Sequence, residues 1–179
     1  MKLGQDYFDD KSSFLSLSKD LSLIVNKILR NDNLLKLLYY TEKDCLKGEK
    51  LTDAQKMGML HKQIKIVPRV LIEQECPNYI VITFDNFTPN TKNPQFRDCN
   101  INFDILCHPD HWNLGDFSLR PYKIAGELDA MFNNKKLTGI GELNFMGSGN
   151  LVLNDTMMGL TLIYRAIHGI EDKIDPLVN

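Results

Sequence analysis

The densest set of reactive groups in this chain lies in residues 107–111, where Cys107, His108, Asp110 and His111 crowd into one short run. Thiolate and imidazole are ligands that a borderline metal such as zinc accepts. Several features weigh against a centre there. No second cluster stands at ligand spacing, and His61 and His168 are isolated in sequence. Pro109 interrupts the run. Strand alternation also turns Cys107 toward the buried face and His108 away from it. Asp85, Asp104 and Glu142 form a second set, on neighbouring elements, of the type that holds a metal in a nuclease. Strand carboxylates of this kind are ordinarily solvated outward residues. Gly147-Ser148-Gly149 has the look of a nucleophile elbow but lacks its full motif and its strand–turn–helix setting. Phosphate-binding glycine loops are absent. No residue context singles out a thiol for Cys–His catalysis. The expectation is no catalytic residue, no metal ligand and no cofactor. The alternative is a small metal-dependent nuclease or hydrolase using Asp85, Asp104 and residues 107–111.

Composition narrows the partners. The chain has 179 residues, 43% of them hydrophobic and 25% charged, with a formal net charge of −2. That supplies one core without staples and no basic field of the strength that grips nucleic acid. Cys45, Cys76, Cys99 and Cys107 are scattered with no Cys-x-x-Cys pair, so reduced thiols in a cytoplasm are expected. The first ten residues are polar and carry no signal-peptide core. No apolar run approaches the roughly 20 residues that span a bilayer, so a soluble chain without membrane contact is expected.

The elements that must position these groups begin with helices. Leu17, Leu21, Ile24, Val25 and Ile28 share one face of a first helix that Ser16 or Ser18 caps. Asp32 or Asn33 then caps a short second helix, whose Leu34, Leu35, Leu37 and Leu38 make it apolar on more than one side and suit it to burial. Thr52 and Gln55 match a capping box for a third helix running toward His61. Pro121 fits the first turn of a later helix. Its stripe is Ile124, Ala125, Leu128, Met131 and Phe132, and Lys135 and Lys136 complement its C-terminal dipole.

Between and after the helices the period is two. Ile64 and Ile66 alternate with Lys65 before Pro68. Ile80, Ile82 and Phe84 face one way, and Tyr79, Val81, Thr83 and Asp85 the other. Residues 86–97 read as a surface loop from their prolines and asparagines. The cleanest alternation follows: Ile101, Phe103, Ile105 and Cys107 inward, Asn100, Asn102 and Asp104 outward. After Gly139 and Gly141 release the chain, a strand over residues 142–153, loosened or bulged at Gly147–Gly149, reverses at Asn154-Asp155 into residues 156–168. There Met158, Leu160, Leu162, Tyr164 and Ala166 share one face. The other carries Thr161, Ile163, Arg165 and Ile167, unusually apolar for a solvated side.

The fold class expected is α+β: N-terminal helices followed by a mostly antiparallel sheet with one helix packed on it, in the order β-β-β-α-β-β. Residues 1–15 read as a flexible arm. Residues 16–170 read as a single domain, with a helical prelude at 16–61 and a sheet-and-helix unit at 62–170. Residues 171–179 read as a flexible tail. The residues best suited to an interface are Phe87, Phe96, Arg97, Trp112 and Ile163, aromatic or basic loop residues and one outward apolar strand residue.

Three stretches together resemble the tail-terminator and tail-completion (head–tail connector) proteins of tailed bacteriophages. They are Ile28-Leu29-Arg30-Asn31-Asp32-Asn33-Leu34-Leu35-Lys36-Leu37-Leu38, the strand Ile101-Asn102-Phe103-Asp104-Ile105 leading to Arg120-Pro121-Tyr122-Lys123-Ile124-Ala125, and the closing Gly159-Leu160-Thr161-Leu162-Ile163-Tyr164. The likeness is one of element order and character. The helical prelude departs from the leanest members of that family and leaves a related ring between portal and tail open. The resemblance implies a structural virion protein at the neck or tail, assembled in the host cytoplasm. It implies a homo-oligomeric ring of roughly six or twelve subunits, contacting connector and tail-tube proteins. DNA passes through its lumen without sequence-specific binding.

Overall fold

The computed structural model describes residues 17–66, 77–91, 97–137 and 141–168. The expected arm and tail, Ser16, Pro68, Phe96 and Gly139 lie outside the described residues. Helices α1 (Leu17–Ile28), α2 (Asp32–Tyr39) and α3 (Asp53–Gly58) precede strands β1 (Ile64–Lys65), β2 (Asn78–Pro89) and β3 (Arg97–Cys107). Helix α4 (Arg120–Phe132) and strands β4 (Lys135–Leu137), β5 (Gly141–Asn154) and β6 (Met157–His168) follow. The expected α+β class holds. The sheet order is β1-β2-β3-β6-β5-β4, antiparallel throughout except for the short parallel pair β1–β2. Among the described residues no helix is long and apolar enough to cross a membrane.

The inner face of the sheet and the helices enclose one core. Ile80 and Ile82 on β2, Ile101, Phe103, Ile105 and Cys107 on β3, and Leu162, Tyr164 and Ala166 on β6 are all buried in it. That is the parity the alternation predicts. Against them lie Ile24 and Ile28 of α1, the four leucines of α2, and Ile124, Leu128 and Phe132 of α4. Phe103 stacks on Phe132 with ring centroids 5.0 Å apart and meets Tyr164 edge-on at 5.8 Å. Tyr164 sends its hydroxyl 2.8 Å to the Asp129 carboxylate, so its polar tip has an acceptor inside the apolar layer. The outer face carries a second, smaller cluster of Tyr79, Val81, Leu106 and Met157, with Leu151 against it.

Local sequence explains most element ends. The Thr52–Gln55 capping box is present in both directions, and Pro121 sits in the first turn of α4. Three expectations are corrected. Asn31, not Asp32 or Asn33, caps α2, accepting the Leu34 N–H at 3.0 Å. Its amide also donates to Glu127 of α4 at 2.8 Å, which the Asn33 amide reaches at 3.3 Å, while the Asp32 carboxylate pairs with Lys50 and Lys56. Residues 86–97 are not all loop. β2 runs on to Pro89 through a bulge between Asp85 and Thr88, where Asn86 takes φ 52°, a value asparagine tolerates. Lys135 and Lys136 do not end α4. The helix stops at Phe132, Asn134 turns the chain at φ 53°, and the lysines enter β4 opposite Leu143 and Glu142. The strand expected to loosen or bulge at Gly147–Gly149 runs continuously as β5 with a bulge at the start of that stretch, its register shifting between Phe145 and Gly147.

Candidate functional site

Residues 107–111 end β3 and start a 3-10 turn, in which Cys107, His108 and His111 are engaged by the fold and the Asp110 carboxylate is exposed. Cys107 is fully buried, and burial pushes its thiol up to about 12 against the opposing pull of the Arg120 charge. His108 caps the turn, its Nδ1 accepting the Asp110 N–H at 3.3 Å. His111 Nδ1 lies 3.3 Å from the Thr41 carbonyl oxygen. The two imidazole rings stand 5.8 Å apart. Among the described residues no group of three or more His, Cys, Asp or Glu side chains gathers at metal-binding distance.

The carboxylates are no closer to one another. Asp85 lies opposite Asn100, whereas Asp104 lies opposite Val81. Both face outward, but four strand positions separate them, about 13 Å at roughly 3.3 Å per residue. Asp85 accepts a hydrogen bond from the Asn102 amide at 2.8 Å. Glu142 is exposed on β5 opposite Lys136. Ser148 is an exposed strand residue paired with Leu162, with no helix after it. The side chains named for hydrolysis thus sit on both faces of the sheet, with no common focus.

The surface sites are distributed differently. Phe87 and Trp112 both pack partly buried against the main core, and the Trp112 indole N–H donates 3.2 Å to the Cys107 carbonyl. Arg97 opens β3 between Pro89 and His168. Ile163 is half-buried on the outer face between Asn102 and Gly147. Beside it Arg165 pairs with Asp98, whose other oxygen accepts from Asn90 at 2.7 Å. The Asn90 bond and then Arg165 hold the Asp98 carboxyl below its usual range, against the opposing effect of burial.

Two features escaped the sequence reading. The first is Arg120, fully buried at the start of α4. Nε donates 2.7 Å to the His111 carbonyl. Nη1 donates 2.7 Å to Leu37 and to Tyr40, and Nη2 3.0 Å to Thr41 and 2.9 Å to Glu42. All five donors of the guanidinium meet main-chain carbonyls, and no carboxylate takes part. The negative C-terminal pole of α2 supplies the partner charge. Cys45 lies in the same neighbourhood: burial raises its thiol and the Arg120 charge lowers it by less.

The second feature is the state of the sheet edges. β4 covers β5 only over Gly141 to Leu143, and Asn133 Oδ1 takes the Phe145 N–H at 3.3 Å. From residue 146 to 153 no strand lies on the outer side of β5 among the described residues. That stretch, Met-Gly-Ser-Gly-Asn-Leu-Val-Leu, has no charge and no proline, and Met146, Val152 and Leu153 are 58%, 70% and 41% exposed. At the other end, among the described residues, β1 pairs with β2 at Ile80 and Val81. Strand edges are normally blunted by lysine, proline or a cover. An uncharged edge with exposed apolar side chains is a template for another strand.

No curated relative matches the chain. The YomW family matches it over residues 31–166, a span that holds α2, α4, the whole of β2 to β5 and nearly all of β6. With most of its length and nearly all of its sheet inside that match, the chain belongs to the YomW family.

Proposed function

We propose that this chain is a structural subunit that assembles head-to-tail with its own copies into a ring, in the manner of the tail-terminator and head–tail connector proteins it resembles. The observation that carries this reading is the uncharged edge of β5, which no described strand covers beyond β4, set at the opposite end of the sheet from the part of β2 that β1 leaves without a partner among the described residues. β2, β3, β6 and β5 alternate in direction, so β5 runs opposite to β2. A second copy placed with its β2 beside β5, helices on the same side, therefore continues the antiparallel order. Such a contact joins two different surfaces, and repeated contacts of that kind close a ring when the rotation between copies permits it. The half-apolar outer strand face around Ile163 supports the same reading. A net charge of −2 suits a lumen through which DNA slides, because binding grows with each neutralised phosphate. Neighbouring connector and tail-tube proteins are the partners this role requires, and the virion neck or tail is its location.

Negative-stain imaging of the purified protein and of the particle carrying it tests the reading. Rings of uniform size, dispersed by Val152→Lys at the β5 edge without loss of the fold, are the expected result. A protein that is monomeric at every concentration and absent from any particle refutes it.

A further inference from the structure

Phe117 is the most exposed large apolar side chain of the described residues, at 99%, and its backbone takes φ 61°. Its loop is a tight reversal. The Phe117 N–H bonds the Leu114 carbonyl at 3.1 Å, and the Leu114 N–H bonds the Ser118 carbonyl at 3.0 Å. Phe117 thus occupies the left-handed position that closes such a turn, where glycine is relaxed and a bulky residue is strained. The loop is held from three sides. Leu114 is buried in the core, Gly115 N–H bonds the Lys43 carbonyl at 3.0 Å, and Asp116 pairs with Lys123 at 3.0 Å while accepting from Ser118. A rigid loop therefore holds an aromatic ring in water, at a backbone cost, with no burial of that ring among the described residues.

We propose that Phe117 is an anchor that inserts into a second copy of this chain, in the groove between α1, α3 and β1. That groove, 390 Å³ in volume, is lined by Leu21, Val25, Leu29, Met57, Leu60 and Ile64, among others. None of its lining residues is Lys, Arg, Asp or Glu. The hollows beside Lys27, Arg30 and Asp32, and beside Lys123 and Glu127, are charged, so an apolar ring loses more than it gains by entering them. Projection and socket lie on different elements of one chain, so each copy offers both, and the contact runs head-to-tail. A buried aromatic of this kind is the residue type that dominates interfaces. The choice of a second copy as partner rests on the self-assembly reading above, whereas the strain at Phe117 does not.

Two measurements on the full chain test the proposal. In Phe117→Gly the melting temperature rises by about 2–4 °C as strain is relieved, while self-association by sedimentation weakens by about 30-fold or more. In the second, a benzophenone amino acid at position 117, with isotopically labelled and unlabelled copies mixed, crosslinks to α1 and α3 peptides of the other copy. Phe117→Gly that associates like the parent overturns the anchor and leaves the ring reading standing. Crosslinks confined to another surface, or a groove protected by the chain's own first sixteen residues, also overturn it. A parent chain that never associates overturns both readings.

Discussion

Replacing Arg120 tests whether one side chain joins the helical prelude to the sheet. Its five hydrogen bonds of 2.7–3.0 Å go to carbonyls of Leu37, Tyr40, Thr41, Glu42 and His111. A hydrogen bond to a charged group contributes about 1.5–3 kcal/mol, so a simple sum reaches roughly 7–15 kcal/mol. That sum is too large, because four of the five contacts are only partly buried and water can replace the donor there. The Leu37 contact is fully buried and its carbonyl cannot be rehydrated in place. Arg120→Met is therefore expected to cost about 3–5 kcal/mol, the range for breaking a buried charged network. Against a total stability of about 5–15 kcal/mol that loss is large. Arg120→Lys keeps the charge and up to three donors but not the planar fork, and about 2–3 kcal/mol is expected. The assay is urea unfolding followed by the fluorescence of the single tryptophan. Trp112 is well placed for it, since its carbonyl accepts the Arg120 backbone N–H at 2.7 Å. If Arg120→Lys and Arg120→Met both unfold within about 1 kcal/mol of the parent, the forked contact does not hold the two halves together and the reasoning fails.

A β-carbon on Gly159 would lie 2.0 Å from the Ile105 carbonyl oxygen, so Gly159→Ala should cost about 3 kcal/mol or more by forcing β6 off β3. Gly147→Ala and Gly149→Ala, where a β-carbon meets nothing within 4 Å, should stay near neutral, and equal urea midpoints for all three would remove the steric account. Asp32, held down by Lys50 and then Lys56, and Asp98, held down by Asn90 and then Arg165, have depressed carboxyl values in the fold. Their contribution is complete above the unfolded carboxylate value near ~4 and is lost as pH falls through the lower folded values. The urea midpoint should therefore drop from about pH 6 to about pH 3, with a shallower drop in Asp98→Asn. A flat profile, or the same slope in that variant, would contradict the assignment.

Much of the architecture was readable wherever local chemistry and burial agree. The alternation of Ile101, Phe103, Ile105 and Cys107 marks the inner face of β3, because a strand buried on one side must alternate. The Thr52–Gln55 box and Pro121 mark helix starts through bonds made within a few residues. What stayed hidden depends on distant partners. Asn31 caps α2 while Asp32 is drawn to Lys50 and Lys56, and the amides of both Asn31 and Asn33 reach Glu127, far along the chain. Residues 86–89 look like loop by composition, yet β3 pairs with Thr88 and Pro89 and keeps them extended. Arg120 gave no signal because its partners are backbone carbonyls, which any sequence possesses. Of the residues favoured for an interface, Ile163 lies on the outer face of β6, whereas Phe87 and Trp112 pack partly buried against the core. The open edge of β5 and the strain at Phe117 emerge only once neighbours and backbone angles are known.

The strand order carries a kinetic consequence. β2–β3 and β5–β6 are each joined by a short connection, whereas β3 and β6 meet across the intervening α4, β4 and β5. The two hairpins are thus local units that form early, and the seam between them waits on closure of a long loop. Hydrogen exchange during refolding should protect the outer pairs before the amides of that seam. At high protein concentration the same delay leaves the β5–β6 hairpin free to dock on the β3 of another molecule, making exchange of that hairpin the misfolding route this topology favours.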